Sequence, residues 1–219
     1  MATAQVEKPS PANFDQIVGL NSTTSLNDLE RICRESGQVI RNYSITSPHE
    51  NESSTTDIAA KSAPHLRPVD FVFAEMALPH LHIITPEYFS TSIEETFNWT
   101  EMAERLGAEW EGDWFIVAFR SVRKATACSE ALYQADEKAH QEAIESGGLL
   151  KYWYGTLNEH RQCLAMCIWS SREFARLAIV KPLHLKAVSL TRQMYESYTL
   201  ERYSLIKKRG ECVFHIERL

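Results

Sequence analysis

Between residues 114 and 207 strand-like and helix-like patterns follow one another in a single order. That order constrains the fold more than any other feature of the sequence. Residues 114–122 form the clearest strand pattern, with Phe115, Val117 and Phe119 on one face by the two-residue repeat. Residues 129–146 read as a helix closed by Gly147 and Gly148. Residues 150–156 and 163–169 read as two strands of a hairpin that turns around 157–162. Ser170 and Glu173 have the spacing of a capping box and open a further helix. Pro182 interrupts and restarts that helix, whose pattern continues to about Tyr198. Residues 199–207 close the series as a strand, and 212–217 offer another after the turn at Gly210.

The β-α-β-β-α-β order is that of the ferredoxin-like unit, an antiparallel sheet with both helices on one face. The expected class is therefore α+β. The expected architecture is a ferredoxin-like core of the dimeric α+β barrel kind, with an N-terminal helical extension. Such sheets commonly pair as homodimers and hold an apolar ligand pocket between sheet and helices. Upstream of the core, residues 71–74 and 80–84 read as short strands. Thr85, Pro86 and Glu87 resemble a helix start, for a helix running with a break to Leu106 and ended by Gly107. Residues 1–65 hold only two aromatics, Phe14 and Tyr43, so little core is expected there. Within them 25–37 reads as one helix capped by Ser25, and 44–64 as a mobile polar linker. The division expected is an extension over 1–65 and an α+β domain over 66–219.

Charge and cysteine usage narrow the function classes. The formal net charge is −6, which argues against nucleic-acid and anionic-membrane partners. The longest apolar run, 163–169, is far short of a membrane span, and the N-terminus lacks the apolar stretch of a secretory signal. The five cysteines are odd in number and contain no C-x-x-C pair. Cys163 and Cys167 share a strand face but stand roughly 13 Å apart, too far for a disulfide. Reduced thiols in a cytoplasmic protein are expected, and the N-x-[ST] sequons at Asn21, Asn42, Asn51 and Asn98 read as chance matches.

Several residues have the chemistry of a site. His80 and His82 lie two apart, a spacing that suits two ligands of one metal, but no third ligand sits at a recognisable distance. They read as an edge-strand or loop pair, and no metal or cofactor is expected. Asp136 and His140 are one helical turn apart, so the carboxylate could orient and charge the imidazole as a general base needs; a solvated surface pair is the alternative. Trp153 and Tyr154 point to opposite faces of one strand and Trp169 ends its partner. These rings are core or interface, or else walls for a flat organic ligand. Arg120 sits on an apolar strand and needs a partner, with Glu201 the candidate; it could instead anchor a ligand carboxylate or enolate. Arg172 and Tyr203 complete the candidate substrate contacts. His184, in the first turn of the restarted helix, is expected neutral because the helix dipole disfavours imidazolium. Val188, Thr191 and Tyr195 continue its face, so Tyr195 joins the catalytic candidates beside His184, His140, Asp136 and Arg120. No nucleophile-elbow, Walker, dinucleotide or H-E-x-x-H motif occurs.

Several of these segments resemble a fungal protein family whose activity is uncharacterised. They are 118–121, 136–143, the Ser146–Gly155 stretch SGGLLKYWYG, 164–169, 172–176, 184–187, Tyr195, and Glu201 with Arg202. The resemblance spans about 70–218 and implies a shared fold and a fungal origin. The sequence departs from the family at Tyr198, where Trp is expected, and at Pro182 and Leu183. Two functions remain open. One is a cofactor-independent enzyme on a small organic molecule, performing cyclisation, dehydration, isomerisation or oxygenation in fungal specialised metabolism. There His140 or His184 would move a proton and Arg120 or Tyr195 would stabilise an oxyanion. The other is a non-catalytic ligand-binding or interaction module.

Overall fold

The computed structural model describes residues 65–219. The helix expected over 25–37 and the linker over 44–64 lie outside the described residues. In chain order the elements are α1 (Pro68–Val72), α2 (Ile93–Thr96), α3 (Trp99–Leu106), β1 (Gly112–Arg123), α4 (Ser129–Glu145), β2 (Leu149–Tyr154), β3 (Gln162–Trp169), α5 (Arg172–Ile179), α6 (Pro182–Met194), β4 (Tyr195–Lys207) and β5 (His215–Arg218). One sheet carries the order β2-β3-β1-β4-β5, with every pairing antiparallel. From β1 to β4 this is the β-α-β-β-α-β unit, its second helix split into α5 and α6 at Pro182. The fold is α+β and ferredoxin-like.

Two apolar layers sandwich the sheet. On one face Phe115, Val117 and Phe119 of β1 and Ala165, Cys167 and Trp169 of β3 pack against Leu132 of α4, Ala175 and Ala178 of α5, and Val188 of α6. On the other face Trp114, Ile116, Leu164, Met166, Ile168, Tyr203 and Leu205 are covered by Phe73, Leu78, Phe97, Met102 and Leu106. The second cover is the chain's own segment 68–106. Burial on both faces explains why 163–169 is an unbroken apolar run rather than an alternating one.

The cover segment departs from the strands expected over 71–74 and 80–84. Pro68 opens a helix that passes through a π-helical turn, Phe73–Ala77, and a 3-10 turn, Leu78–His80. Tertiary pairing selects the helix. The fully buried Asp70 carboxylate accepts from the Arg67 backbone N–H at 2.7 Å, from Arg67 Nη2 at 2.8 Å and from Trp114 Nε1 at 2.8 Å. Of the second expected strand only a single bridge survives, Ile83 with Phe97. Residues 86–90 form turns rather than a helix start, and helix resumes at Ile93 and Trp99.

Three boundaries also move. Ser171, not Ser170, is the residue preceding α5, and no side chain caps that helix end. The helix after Pro182 ends at Met194 rather than near Tyr198. Tyr195 is already extended, with φ −110° and ψ 142°, so α6 runs into β4 without a turn. The β-favouring series Tyr195, Tyr198, Thr199 pairs with the end of β1 across a bulge at Val122 and Arg123, and that pairing outweighs the helical continuation.

Candidate functional site

Four of the five residues expected to be catalytic come together on the helix side of the sheet. Asp136 and His140 project from α4 toward β2. There the Tyr152 hydroxyl donates to Asp136 Oδ1 at 2.9 Å, and the His140 ring lies 4.8 Å from the Tyr152 ring, tilted by 51°. Burial, the charge on Asp136 and the hydrogen bond to it hold the Tyr152 phenol well above the ordinary tyrosine range. Partial burial lowers the His140 pKa.

His184 is 1% exposed, in the first turn of α6. Glu142 of α4 reaches across to it. One carboxylate oxygen accepts the backbone N–H groups of Leu183 and His184, each at 2.9 Å, and stands 3.4 Å from His184 Nδ1. Two influences on the imidazole oppose each other here. A carboxylate at that distance favours the charged ring, while burial penalises it. Burial dominates, because the contact is long and the carboxylate's charge is already spread over two amide bonds. With His140 and Lys181 acting in the same direction, the pKa falls to about 4. His184 is neutral at pH 7, as expected, but by burial first rather than by the helix dipole alone.

Tyr195 is buried at the start of β4, its ring 5.4 Å from Phe119. Burial drives its phenol pKa well up, and the charges of Asp136 and Arg123 both reach it. It joins the group from a strand rather than from the helical stripe expected. Helix α6 still supplies the rest of that stripe, since His184, Val188 and Thr191 are all buried.

Arg120 is the fifth candidate, and the structure puts it elsewhere. It lies on the other face of β1, where Nε donates to both Glu201 oxygens at 3.1 Å while Nη1 and Nη2 hold the carbonyls of Tyr88 and Thr91 at 2.9 and 2.6 Å. The partner expected from the sequence is the one found, and these bonds occupy the donors that would have anchored a ligand. Glu201 also accepts from the Tyr203 hydroxyl at 2.9 Å, which together with burial raises the Tyr203 pKa. Tyr203 thus belongs to the covered face and not to the helix side. Trp153 faces the cover as well, edge-on to Phe97 at 4.8 Å and to Tyr88 at 5.6 Å. Trp169 is fully buried core, Arg172 is exposed at the first turn of α5, and Tyr154 is exposed beside Tyr152 at a ring distance of 5.6 Å. His82 Nδ1 bonds the His80 carbonyl at 2.9 Å in an exposed turn. Among the described residues no three His, Cys, Asp or Glu side chains gather as a metal would require.

Sequence reading missed Tyr152, Glu142 and Arg123, whose Nη1 donates to Ser129 Oγ at 3.0 Å and to the Tyr133 hydroxyl at 3.4 Å. Tyr152 was accessible from alternation, because it points opposite to Trp153 and so toward the helix carrying Asp136 and His140. Glu142 sits in a run of charges that reads as a solvated face, and only the return of α6 gives it a role. Two openings are present among the described residues. A cleft of about 120 Å³ lies on the Arg120 face of the sheet, away from the group, lined by Phe89, Arg120, Val122, Gln162, Ser197 and Thr199 among others. A groove of about 230 Å³ runs between α4 and α6, lined by Ala131, Ala135, Leu183 and Leu190 with Lys138 and Lys186 at its rim.

Comparison with known proteins gives kinship without chemistry. A family model described as PB2B2.08-like matches residues 45–218, so its match begins ahead of the domain boundary expected at 66. UPF0643 protein PB2B2.08 of Schizosaccharomyces pombe is 39% identical over 97 residues, covering 42% of this chain and 44% of that protein. The chain thus spans under half the length of this curated relative, which is fungal as the resemblance implied. Among solved structures, a dimeric ferredoxin-like protein of unknown function from Thermobifida fusca aligns at 13% identity and TM-score 0.35, covering 43% of this chain and 92% of that one. SnoaB, a cofactor-independent oxygenase from Streptomyces nogalater, aligns at 11% identity and TM-score 0.33, covering 41% and 90%.

Proposed function

The chain belongs to the PB2B2.08-like family, and we propose that it is a small-molecule enzyme that moves protons with its own side chains. The observation that carries this reading is the cluster on the helix side of the sheet: Tyr152 bonded to Asp136, with His140 against the same ring and a neutral His184 nearby. An apolar layer has no structural need for two imidazoles, a carboxylate and two tyrosines, and each must be satisfied to be tolerated there. Neutral imidazoles beside phenols that hold their protons make a proton acceptor next to hydrogen-bond donors.

In this reading His140, the more accessible imidazole, takes a proton from a carbon or oxygen of the substrate and becomes imidazolium. The negative charge left on the substrate oxygen is met by the Tyr195 hydroxyl, while the Tyr152 O–H stays with Asp136. Return of the proton to another atom gives isomerisation; loss of water or ring closure gives dehydration or cyclisation. Asp136 positions Tyr152, while His184 and Glu142 fix the start of α6 against α4. We place the reaction in fungal specialised metabolism and the protein in the cytoplasm. Separately, no helix among the described residues is long and apolar enough to cross a membrane. A homodimer, if formed, uses a surface other than the sheet face that segment 68–106 covers.

A specific observation favours the binding-module alternative: Glu142 ties His184 to the helix end by backbone bonds, a structural duty that needs no chemistry. Metabolite profiles of a strain lacking the gene, complemented with wild type or with His140→Gln, separate the two. The enzyme reading expects a compound that accumulates in the deletion and in the His140→Gln strain and is cleared by wild type. Clearance by both forms removes His140 from the mechanism. Unchanged profiles throughout favour the binding module.

A further inference from the structure

Between α4 and α6 the groove of about 230 Å³ is open to solvent and largely apolar. Ala131 and Ala135 line it from α4, Leu183 and Leu190 from α6. Leu183 is 37% exposed, a large aliphatic side chain left to water. One lysine stands on each wall, Lys138 on α4 and Lys186 on α6, and both are exposed. The lining runs over 131–138 and 183–190, two turns of each helix or roughly 10 Å. Alanines in such a groove let the side-chain ridge of another helix sit close.

Ahead of the described residues the sequence holds a stretch with the complementary pattern. Segment 25–37, read above as a helix, repeats apolar residues at Leu26, Leu29, Ile32 and Cys33, a stripe of two turns and so also roughly 10 Å long. At about 100° per residue, Asp28 and Glu35 border that stripe on one side and Glu30 on the other, while Arg31 and Arg34 fall on the far face. Acids thus flank the stripe on both sides, as lysines flank the groove on both walls. The chain also enters the described structure on the helix side of the sheet, where Leu66 packs into the apolar layer. Residues 38–64, which lie between, can reach up to about 90 Å when extended, more than the groove's distance demands. We propose that segment 25–37 of the same chain lies in the α4–α6 groove as a helix, its apolar stripe on the alanines and leucines and its flanking acids toward Lys138 and Lys186. A tether of this length holds the segment at an effective concentration on the order of millimolar, so modest contacts suffice. The docked helix clasps together the two helices that carry Asp136, His140 and His184. It does so whether the protein is an enzyme or a binding module.

A helix this short is marginal in water by itself, so slow amide exchange across it reports docking. The full chain is followed at pH 7 by amide exchange with mass-spectrometric readout. Amides 28–34 are expected to exchange at least about tenfold more slowly than in the chain carrying Leu29→Asp and Ile32→Asp. Leu183→Asp, on the exposed groove wall, is expected to release the same amides while those of β1 and β3 stay slow. Should that variant fail to fold, Lys138→Glu with Lys186→Glu, both at exposed positions, takes its place and is expected to speed them severalfold. A water-soluble carbodiimide is expected to join Asp28, Glu30 or Glu35 to Lys138 or Lys186, and, with isotope-labelled and unlabelled chains mixed, to do so within one chain. Fast exchange over 28–34 in the wild type overturns the proposal. So does slow exchange that the groove variants leave slow. Links found only between labelled and unlabelled chains overturn it too, because they seat a second copy's segment in the groove.

Discussion

Protonation of His184 should pull the protein toward the unfolded state. The folded ring titrates at about 4, against an ordinary value of 6.5 in the unfolded chain. Between those two values the unfolded chain binds a proton that the folded chain refuses, so stability rises with pH across that window. The contribution is complete above about pH 6.5, is lost as pH falls toward 4, and changes no further below. Integrating the two titration curves from pH 7 to pH 5 gives about 2 kcal/mol from this one residue. For a chain of this size that is roughly 4–8 °C in melting temperature. The lowered His140 acts in the same sense, so the wild-type profile alone does not isolate His184. The comparison with His184→Gln does, because glutamine keeps the backbone N–H bonds to Glu142 and cannot titrate. Urea unfolding at pH 7, 6 and 5 should show the variant losing about 2 kcal/mol less than wild type over the range. Parallel pH profiles for the two proteins, or a His184 resonance titrating near 6.5, would refute the claim that burial outweighs Glu142.

Two further outcomes follow from packing. Gly148 has φ +74°, and a methyl group there would stand 2.1 Å from Phe174 Cγ; Gly148→Ala should cost about 3 kcal/mol in thermal unfolding. Gly210→Ala is its control, because φ is +84° but nothing lies within 4 Å, and it should cost only about 1 kcal/mol. Arg120→Ala leaves the buried Glu201 only the Tyr203 hydroxyl and the more distant Arg218, and releases the carbonyls of Tyr88 and Thr91. It should cost roughly 3–5 kcal/mol and speed amide exchange through 86–92, and unchanged exchange there would show that the turn is held by something else.

The core of the fold was legible because its signals are local. A run of β-favouring apolar residues over 114–119 marked β1, the Gly147-Gly148 stop closed α4, and Pro182 split the second helix where the sequence says it must. The cover segment was not legible, because its helical choice depends on Arg67, Trp114 and the Ser170 carbonyl meeting around Asp70 across more than forty residues of chain. Tyr195 shows the same limit at close range: its spacing from His184 fits a helix, and only pairing with β1 makes it a strand residue. The joining of Asp136 and His140 to one centre was readable from their spacing. Their actual common partner, Tyr152, was hidden beside the more conspicuous Trp153.

Because the chain itself covers the second face of the sheet, neighbouring positions on β1 answer to different masters, and parity alone tells which. Odd positions from Phe115 to Arg123 look toward α4, α5 and α6 and the polar cluster; even positions from Trp114 to Arg120 look toward segment 68–106. Drift on the even side can be absorbed by compensating change in residues 68–106 without touching a titratable group of the cluster. Drift on the odd side meets Tyr195, Tyr133 and Asp136 directly or through one neighbour. Members of this family that diverge in chemistry should therefore differ at odd positions of this strand, and members that diverge only in stability at even ones.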